Sequence, residues 1–591
     1  MQVPKITRIA QTAKSVTNFY GYHHAPRIGD GEFYDERNLT SDSFPVLSIR
    51  KPRRRIDAYI HGAITGMLYL DYVWYTSGSM ICCMEKNEQI DIGLTEGEKQ
   101  LVAFGAYIII LPDNVYFNTK DYSDYGAVSK SAIYDIGTSL IDLMIVDKNG
   151  ATPRAAIISE SEPQDPALNG TWINPSDHEL KKWTGEKWET VEYWLKIWFS
   201  DSAPLEEHGE IKEGDQIRFR AIGGTEWDEE KLNGLDGAVV TVKKYSADDR
   251  WIIVKHPVAF ATLRKAADRL SFSSPMPIMD IIFEHNNRLW GCRYGGNVDG
   301  DFVNEIYASA LGDFRSWQQY QGLSTDSYAM SCGAQGQWTG AAEVGGYPVF
   351  FKEHCLYKIY GDYPAQYSTD AMECHGVVIG GQKSIAIVNG AAYYAGVHGI
   401  CRYDGTTPAV VSEALAEKLV GVGGAYGDKY ILDATNGSCY VLDTVSKIWH
   451  KEDGLGAMVM AGIADELYYA EYLGDKVMRL GMASDLVEEE SVPWMLETGL
   501  IGEEITEHKR LQRIDLRLVL PPGSSMRISV EYDSSGVWEP ISSLMGRHLR
   551  SYCLPIRPKR CDHLRLKLEG EGDMRLHSIS YITERGSDFI R

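Results

Sequence analysis

One short pattern recurs along this chain: an alternating apolar run, a turn built on Gly, Asp or Asn, then a second alternating run. It is plainest in "NGAAYYAGVHGICRYDGTTPAVVS" (389–412), "GDKYILDATNGSCYVLDTVSKIWHKEDG" (427–454) and "ADELYYAEYLGDKVMRLG" (464–481). Alternation with period two sends successive side chains to opposite faces, so each run reads as a strand and each pair as a hairpin. Asn436-Gly437 predicts a type I′ turn, because both central residues of that turn need positive φ. Units of roughly 30 to 45 residues match the blade period of a β-propeller, in which each small sheet buries its faces against its neighbours. Similar hairpins at 57–125 and again from 277 extend the series. With 35 Tyr, 14 Trp and 57 Gly, residues that suit pleated surfaces and tight turns are plentiful, and the expected class is all-β. The best short helix is "SEALAEKLV" (412–420).

At 591 residues the chain exceeds one ordinary core, so several domains are expected. The Pro-, Asn- and Trp-rich stretch "SEPQDPALNGTWINPSDHELKKWTGEKWE" and the following "EGDQIRFRAIGGTEWDEEKLNGLDGAVVTVKKYSADDRWIIVKHP" read as a small barrel-like β module inserted between blades. From about 495, "RIDLRLVL", "MRISVEYD" and "HLRLKLEG", with hairpin cues at Pro522-Gly523 and Ser535-Gly536, predict a terminal β-sandwich. The expected boundaries are a leader arm at 1–55, propeller at 56–145, the insert at 146–262, propeller again at 263–494, and the sandwich at 495–591.

Charge narrows the function. With 59 basic and 82 acidic residues the formal net is −23, so the surface as a whole repels nucleic acid and a basic-groove DNA reader is disfavoured. The terminal sandwich departs from this, with Arg510, Arg513, Arg517, Arg527, Arg547, Arg550, Arg557, Lys559 and Arg560 at expected outward positions. Ten cysteines lie without CxxC pairs, which signals neither a zinc site nor a disulfide framework and fits a reducing compartment. Apolar runs such as "AYIIIL" (106–111) fall far short of the ~20 residues a membrane helix needs, and "MQVPKITRIAQ" has no secretory apolar core. A soluble, unsecreted chain with no membrane anchor is expected.

Candidate catalytic motifs all have simpler structural readings. "NVDGDFVNE" places Asn297, Asp299 and Asp301 at alternate positions like the start of a calcium loop, but Gly300 is misplaced and the Glu comes too early, so a turn is expected. "SALGDFRSW" is similar to the Asp-box turns of sialidase propellers, where Asp313 would brace a hairpin, and no converging arginine set accompanies it. His23-His24 lack a third spaced ligand and read as a solvated loop. "GAQGQWTG" (333–340) has no Lys-Ser/Thr and is no phosphate loop. No catalytic residue, metal or cofactor is assigned.

The leader is the most distinctive segment. "GDGEFYDERNLTSDSFPVLSIRKPRRR" (29–55) passes from acidic residues through a proline to a compact basic cluster. Its order of Gly31, Glu32, Asn38, Leu39, Pro45, Leu47 and Arg50 resembles the N-terminal signature of β-propeller tail proteins of tailed bacteriophages, the tail nozzle and packaged-DNA stabilisation group. "NNRLWGCRYG", "EIYASALGDFRSWQQY", "VFFKEHCLYKIYG", "GQKSIAIVNGAAYYAGVHGICRYDG" and the terminal segment ending "GSDFIR" are similar to successive blades and the C-terminal domain of such proteins in phages of Gram-positive bacteria.

The resemblance implies a non-enzymatic virion protein, made in the host cytoplasm and assembled in the tail as a hexameric ring. Its partners would be other tail or connector proteins, and DNA would pass through the lumen without sequence-specific binding. Leader residues Gly31, Glu32, Asn38, Leu39, Pro45, Leu47, Arg50, Arg53, Arg54 and Arg55 would then form an arm that orders only against a neighbouring subunit. Arg513, Arg517 and Arg527 would meet acidic surfaces of adjacent subunits. Two alternatives remain open: a tail-tip adhesin holding cell-wall glycan through Trp538 and Tyr532 of the sandwich, and a sialidase-like propeller hydrolase.

Overall fold

In the computed structural model the protein is all-β: a β-propeller carrying an inserted β module and a C-terminal β-sandwich. It describes residues 11–585 apart from 135–139, 154–155, 200–212, 222–228, 247, 267–269, 298–299, 321, 416, 464–465, 472–473, 475, 481–485, 488, 503–507 and 558. Among the described residues six four-stranded meanders follow one another, at 66–91, 100–127, 281–331, 340–373, 386–410 and 421–453, and a seventh, at 457–480, has three strands joined by one from the leader and by Leu486–Val487. The predicted type I′ turn at Asn436-Gly437 is corrected. The register pairs Asp433 with Cys439, leaving a longer loop in which only Gly437 has positive φ, while Asn436 accepts the Ser438 N–H.

The chain divides into two compact units, one of Met1–Leu101, Ala342–Tyr357 and Ala371–Arg591, the other of Val102–Ala341 and Lys358–Asp370. In the first unit, neighbouring meanders share apolar cores. Met67, Val73 and Tyr75 pack with Tyr468 and Val477. Ile431 and Val441 pack with Leu467 and Tyr469, and Tyr393 with Tyr430 and Leu432. In the second unit Phe104, Ile109 and Leu111 pack against Ile282, Leu289 and Phe314. Alternate side chains of one strand enter different cores, Tyr430 and Leu432 one and Ile431 the next, so such a strand is buried on both faces.

The insert lies wholly in the second unit and is larger than the 146–262 expected. Its eight-stranded sheet begins at Ser129–Tyr134 and ends at Leu270–Pro275, and those two strands pair antiparallel with each other. Strands 129–146 alternate like blade strands, which is why the sequence placed them in the propeller. A small sheet over 156–190 completes the module.

The sandwich encloses one apolar core, including Leu511, Ile514, Leu516, Met526, Ile528, Leu566 and Ile579. Its longest strand, Lys509–Tyr532, pairs along much of its length with Trp538–Cys553. Its first half also pairs with Arg575–Arg585 and its second with Leu564–Glu571. Pro522-Gly523 is therefore a bend within one strand, marked by a register shift between Leu520 and Ser525, and only Ser535-Gly536 turns a hairpin. The helix expected at 412–420 reduces to one 3-10 turn, Glu413–Leu415. No helix among the described residues is long and apolar enough to cross a membrane.

Candidate functional site: the leader clasp and the arginine faces

The leader is corrected most sharply, because it is built into its own chain. It forms six short strands: β1 (Gln11–Val16), β2 (Gly21–Tyr22), β3 (Glu32–Arg37), β4 (Leu39–Thr40), β5 (Leu47–Ile49) and β6 (Arg54–Arg55). β2 lies between β3 and the last strand of the 421–453 blade, and β3 pairs with Pro493–Thr498 at the start of the sandwich. β1 and β5 pair with Arg575–Arg585, the final strand of the sandwich. β6 pairs with Val477–Leu480 and Leu486–Val487, closing the last blade. A segment with no core of its own borrows one: Phe19, Phe33, Leu39 and Leu47 are buried among the sandwich leucines.

Polar residues lock this path. Arg50, 6% exposed, donates from Nη1 and Nη2 to the two Glu489 carboxylate oxygens at 2.7 and 2.8 Å, and from Nε to Asn38 Oδ1 at 2.9 Å. Asn38 donates to Asp453 Oδ2 and to the Pro493 carbonyl, both at 2.7 Å, and its own backbone sits at φ 60, a conformation Asn tolerates better than most residues. The Arg53 N–H donates to Glu489 Oε2 at 2.8 Å, and its guanidinium reaches the carbonyls of Gly454 and Asp453. Alongside, the buried Glu36 accepts from the Lys451 N–H and lies 2.8 Å from His450 Nδ1.

Burial alone would raise the Glu489 carboxyl, but hydrogen bonds from Arg50 and Arg53 outweigh it and hold it below the ordinary value of 4.5. Asp453 is likewise held low against burial, by Arg37 and Asn38, and Asp42 by Lys429. Gly31 has φ +85 and faces the Asn18 carbonyl, which a Cβ would approach to 2.1 Å. Glu32 accepts the Gly29 N–H and pairs with His23. Arg54 and Arg55 are half-buried in the closing strand, and Pro45 alone of the signature residues is exposed.

The expected inter-subunit surface over Asn38, Leu39, Leu47, Arg50 and Arg53 is thus consumed within the chain. Sequence reasoning missed the partners Glu489, Asp453 and Glu452, the last lying 3.4 Å from both Arg50 and Arg53. The acidic run "EEES" (488–491) beside the sandwich boundary was the available signal, since a basic cluster in an acidic chain needs carboxylates.

Arg513, Arg517 and Arg527 do face outward. Arg513 and Arg517 are exposed on the half of Lys509–Tyr532 that pairs with Arg575–Arg585, whereas Arg527 is exposed on the half that pairs with Leu564–Glu571. The two halves on either side of the bend pair with different strands. Arg513 lies 2.7 Å from Asp515 and Arg527 lies 3.6 Å from Glu569; Arg517 has no ion-pair partner among the described residues.

The remaining motifs resolve into structure. Asn297 Oδ1 accepts the Asp301 N–H in a hairpin turn, and Asp301 pairs with Lys255 at 2.9 Å, which holds its carboxyl low. Asp299 lies outside the described residues. Asp313 accepts the Arg315 N–H, a turn brace. His23 and His24 are partly buried, bonded to Glu32 and to the Tyr34 carbonyl, rather than solvated. No group of His, Cys, Asp and Glu among the described residues could hold a metal. Trp538 and Tyr532 are half-buried, with Lys567 Nζ 4.0 Å and Lys559 Nζ 5.5 Å from the respective ring centroids. A cleft of about 440 Å³ opens at one end of the sandwich between β1, the 27–33 turn and residues 498–502; within it Lys14 and Asp30 pair at 2.6 Å.

No family model matches the chain, and no curated protein matches it. Among solved structures it is similar to BamB from Moraxella catarrhalis, at 10% identity and TM-score 0.30, over 74% of this chain and 98% of that one. Sqt1 from Saccharomyces cerevisiae gives 10% and 0.29, over 73% and 100%. An exo-beta-1,3-galactanase from Phanerochaete chrysosporium gives 10% and 0.20, over 51% and 94%. Likeness at this level carries no functional argument.

Proposed function

We propose that this protein is a structural component of a tailed-phage virion, a nozzle or hub subunit that assembles as a ring in the tail and lets DNA pass during ejection. The observation that carries the reading is that the residues behind the resemblance have geometric duties. Gly31 sits where a Cβ would strike the Asn18 carbonyl, Asn38 is buried at positive φ, and Arg50 grips Glu489 while bonded to Asn38. A signature most of whose members are buried where the leader passes between blade and sandwich is a signature of architecture, which supports kinship with proteins built the same way. A net charge of −23 suits a conduit, because phosphate backbone would slide past without the counterion release that makes basic surfaces adhere.

The adhesin reading loses support because lysines occupy the rings of Trp538 and Tyr532 that a sugar would stack on. The hydrolase reading loses it because Asp301 and Asp313 serve a hairpin turn and a turn brace. Electron micrographs of the purified protein and of virions labelled against it test the proposal. Rings on the tail axis are expected; label only on peripheral fibres, or glycan turnover abolished by Asp313→Ala with the fold intact, would overturn it.

A further inference from the structure

Among the described residues, one sheet of the sandwich has no further strand paired beside either of two of its strands. It runs β1, Arg575–Arg585, the first half of Lys509–Tyr532, then the last residues of Trp538–Cys553, each strand antiparallel to the next. Among the described residues β1 pairs only with Arg575–Arg585, and Trp538–Cys553 only with Lys509–Tyr532. An unpaired edge presents a row of free N–H and C=O groups, which proteins ordinarily blunt with proline, a bulge or a projecting charge. β1 has none of the three: it contains no proline, its six residues keep register without a bulge, and Lys14, its one charge, lies against Asp30.

The two edges are also unlike each other. Residues 547–553 are basic in sequence, with Arg547, His548 and Arg550, so two copies of that edge repel. Around β1 the charge is mixed: Asp30, 58% exposed, pairs with Lys14, Arg27 and Glu32 line the same cleft, and Glu584 stands across from Gln11. Strand direction fits as well. With four strands alternating, β1 runs opposite to the far edge strand, so the far edge of one copy laid beside β1 of another continues the antiparallel order.

We infer that a second copy of this chain docks by strand addition, its 547–553 edge pairing antiparallel with β1 of the first. The contact joins two different surfaces, so it repeats head to tail and gives a ring where the rotation closes. The inference rests on the ring reading above and names the contact that builds it.

Cross-linking separates the two. Cys553 is exposed, and its strand partner is Asp515 on the outward side of the sheet; Gln11, Ala13 and Ser15 share that side, because their neighbours Thr12, Lys14 and Val16 line the cleft within. Full-length Gln11→Cys, Ala13→Cys and Ser15→Cys are treated with a short bismaleimide, beside wild type and the same variants carrying Cys553→Ser. The expected result is a ladder of covalent dimers and larger species for at least one variant, falling to the wild-type background with Cys553→Ser. Sedimentation of the untreated proteins gives the second readout. Oligomers that form yet show no Cys553-dependent cross-link at any of the three positions would overturn strand addition and leave the ring standing; a protein that sediments only as monomer at every concentration would overturn both.

Discussion

Arg50 just follows one strand and Arg517 lies within another of the same acidic chain, and they do opposite things. Arg50 is buried, with Glu489 on one side and Asn38 on the other; Arg517 projects into solvent with no ion-pair partner among the described residues. The leader's basic cluster is a fastener, whereas Arg517 on the sandwich face is exposed without an ion-pair partner among the described residues. A cluster's duty is therefore set by the carboxylates the fold brings to it, which local composition does not reveal. In this chain the carboxylate that matters is 439 residues away.

Removing one partner of a buried, hydrogen-bonded ion pair strands the other, so Arg50→Ala should lower unfolding stability by about 3–5 kcal/mol. Arg517→Ala should change it by no more than about 0.5 kcal/mol. Urea denaturation of the full chain measures both, and equal effects would break the comparison.

Acid should act on the same fastener. Glu489, Asp453 and Asp42 have folded values held below the ordinary 4.5 and 3.8. A carboxyl depressed by folding contributes stability that is fully present above its unfolded value and disappears as pH falls through the folded one. The urea midpoint should accordingly drop as pH is lowered from about 5 towards 3, and Arg50→Ala should flatten that drop because Glu489 loses its partner. An identical acid profile in the variant would show that the clasp does not carry the dependence.

Two glycines sharpen the contrast at backbone level. Gly31→Ala meets both positive φ and the Asn18 carbonyl, and should cost about 2–3 kcal/mol. Gly523→Ala meets only positive φ, with nothing within 4 Å, and should cost about 1 kcal/mol, read from the same denaturation curves. The smallest effect belongs to the exposed face. Arg513→Gln with Arg517→Gln should leave stability unchanged and slow assembly only at low ionic strength, since charges screened over about 3 Å at 1 M salt no longer steer encounter. Light-scattering rates across a salt series would check it.

Much of the fold was legible because it is local. Tyr393, Tyr430 and Tyr469 lie in short apolar runs bounded by turn residues, and the meanders at 386–480 follow from those runs. The insert's first strands, 129–134 and 140–146, read like blade strands in sequence, and only their pairing with residues 194–199, 262–266 and 270–275 separates them from a blade. Pro522-Gly523 carries turn chemistry but lies within a strand that bends, because its flanking halves find different partners. The clasp was hardest to see. Phe33, Leu39 and Leu47 are too sparse to suggest a core, and they are buried only because Leu496, Leu516 and Leu576 arrive from the far end of the chain.

The central claim is that the leader belongs to the fold of each copy and does not wait for a neighbour. Amide hydrogen exchange on the monomeric protein, isolated by dilution, tests it most directly. Amides of 32–40 and 47–55 should be protected to the same degree as those of Lys429–Ala434 in the adjoining blade. Exchange of the leader at the rate of an unstructured chain in the monomer, with protection gained only on assembly, would contradict the account.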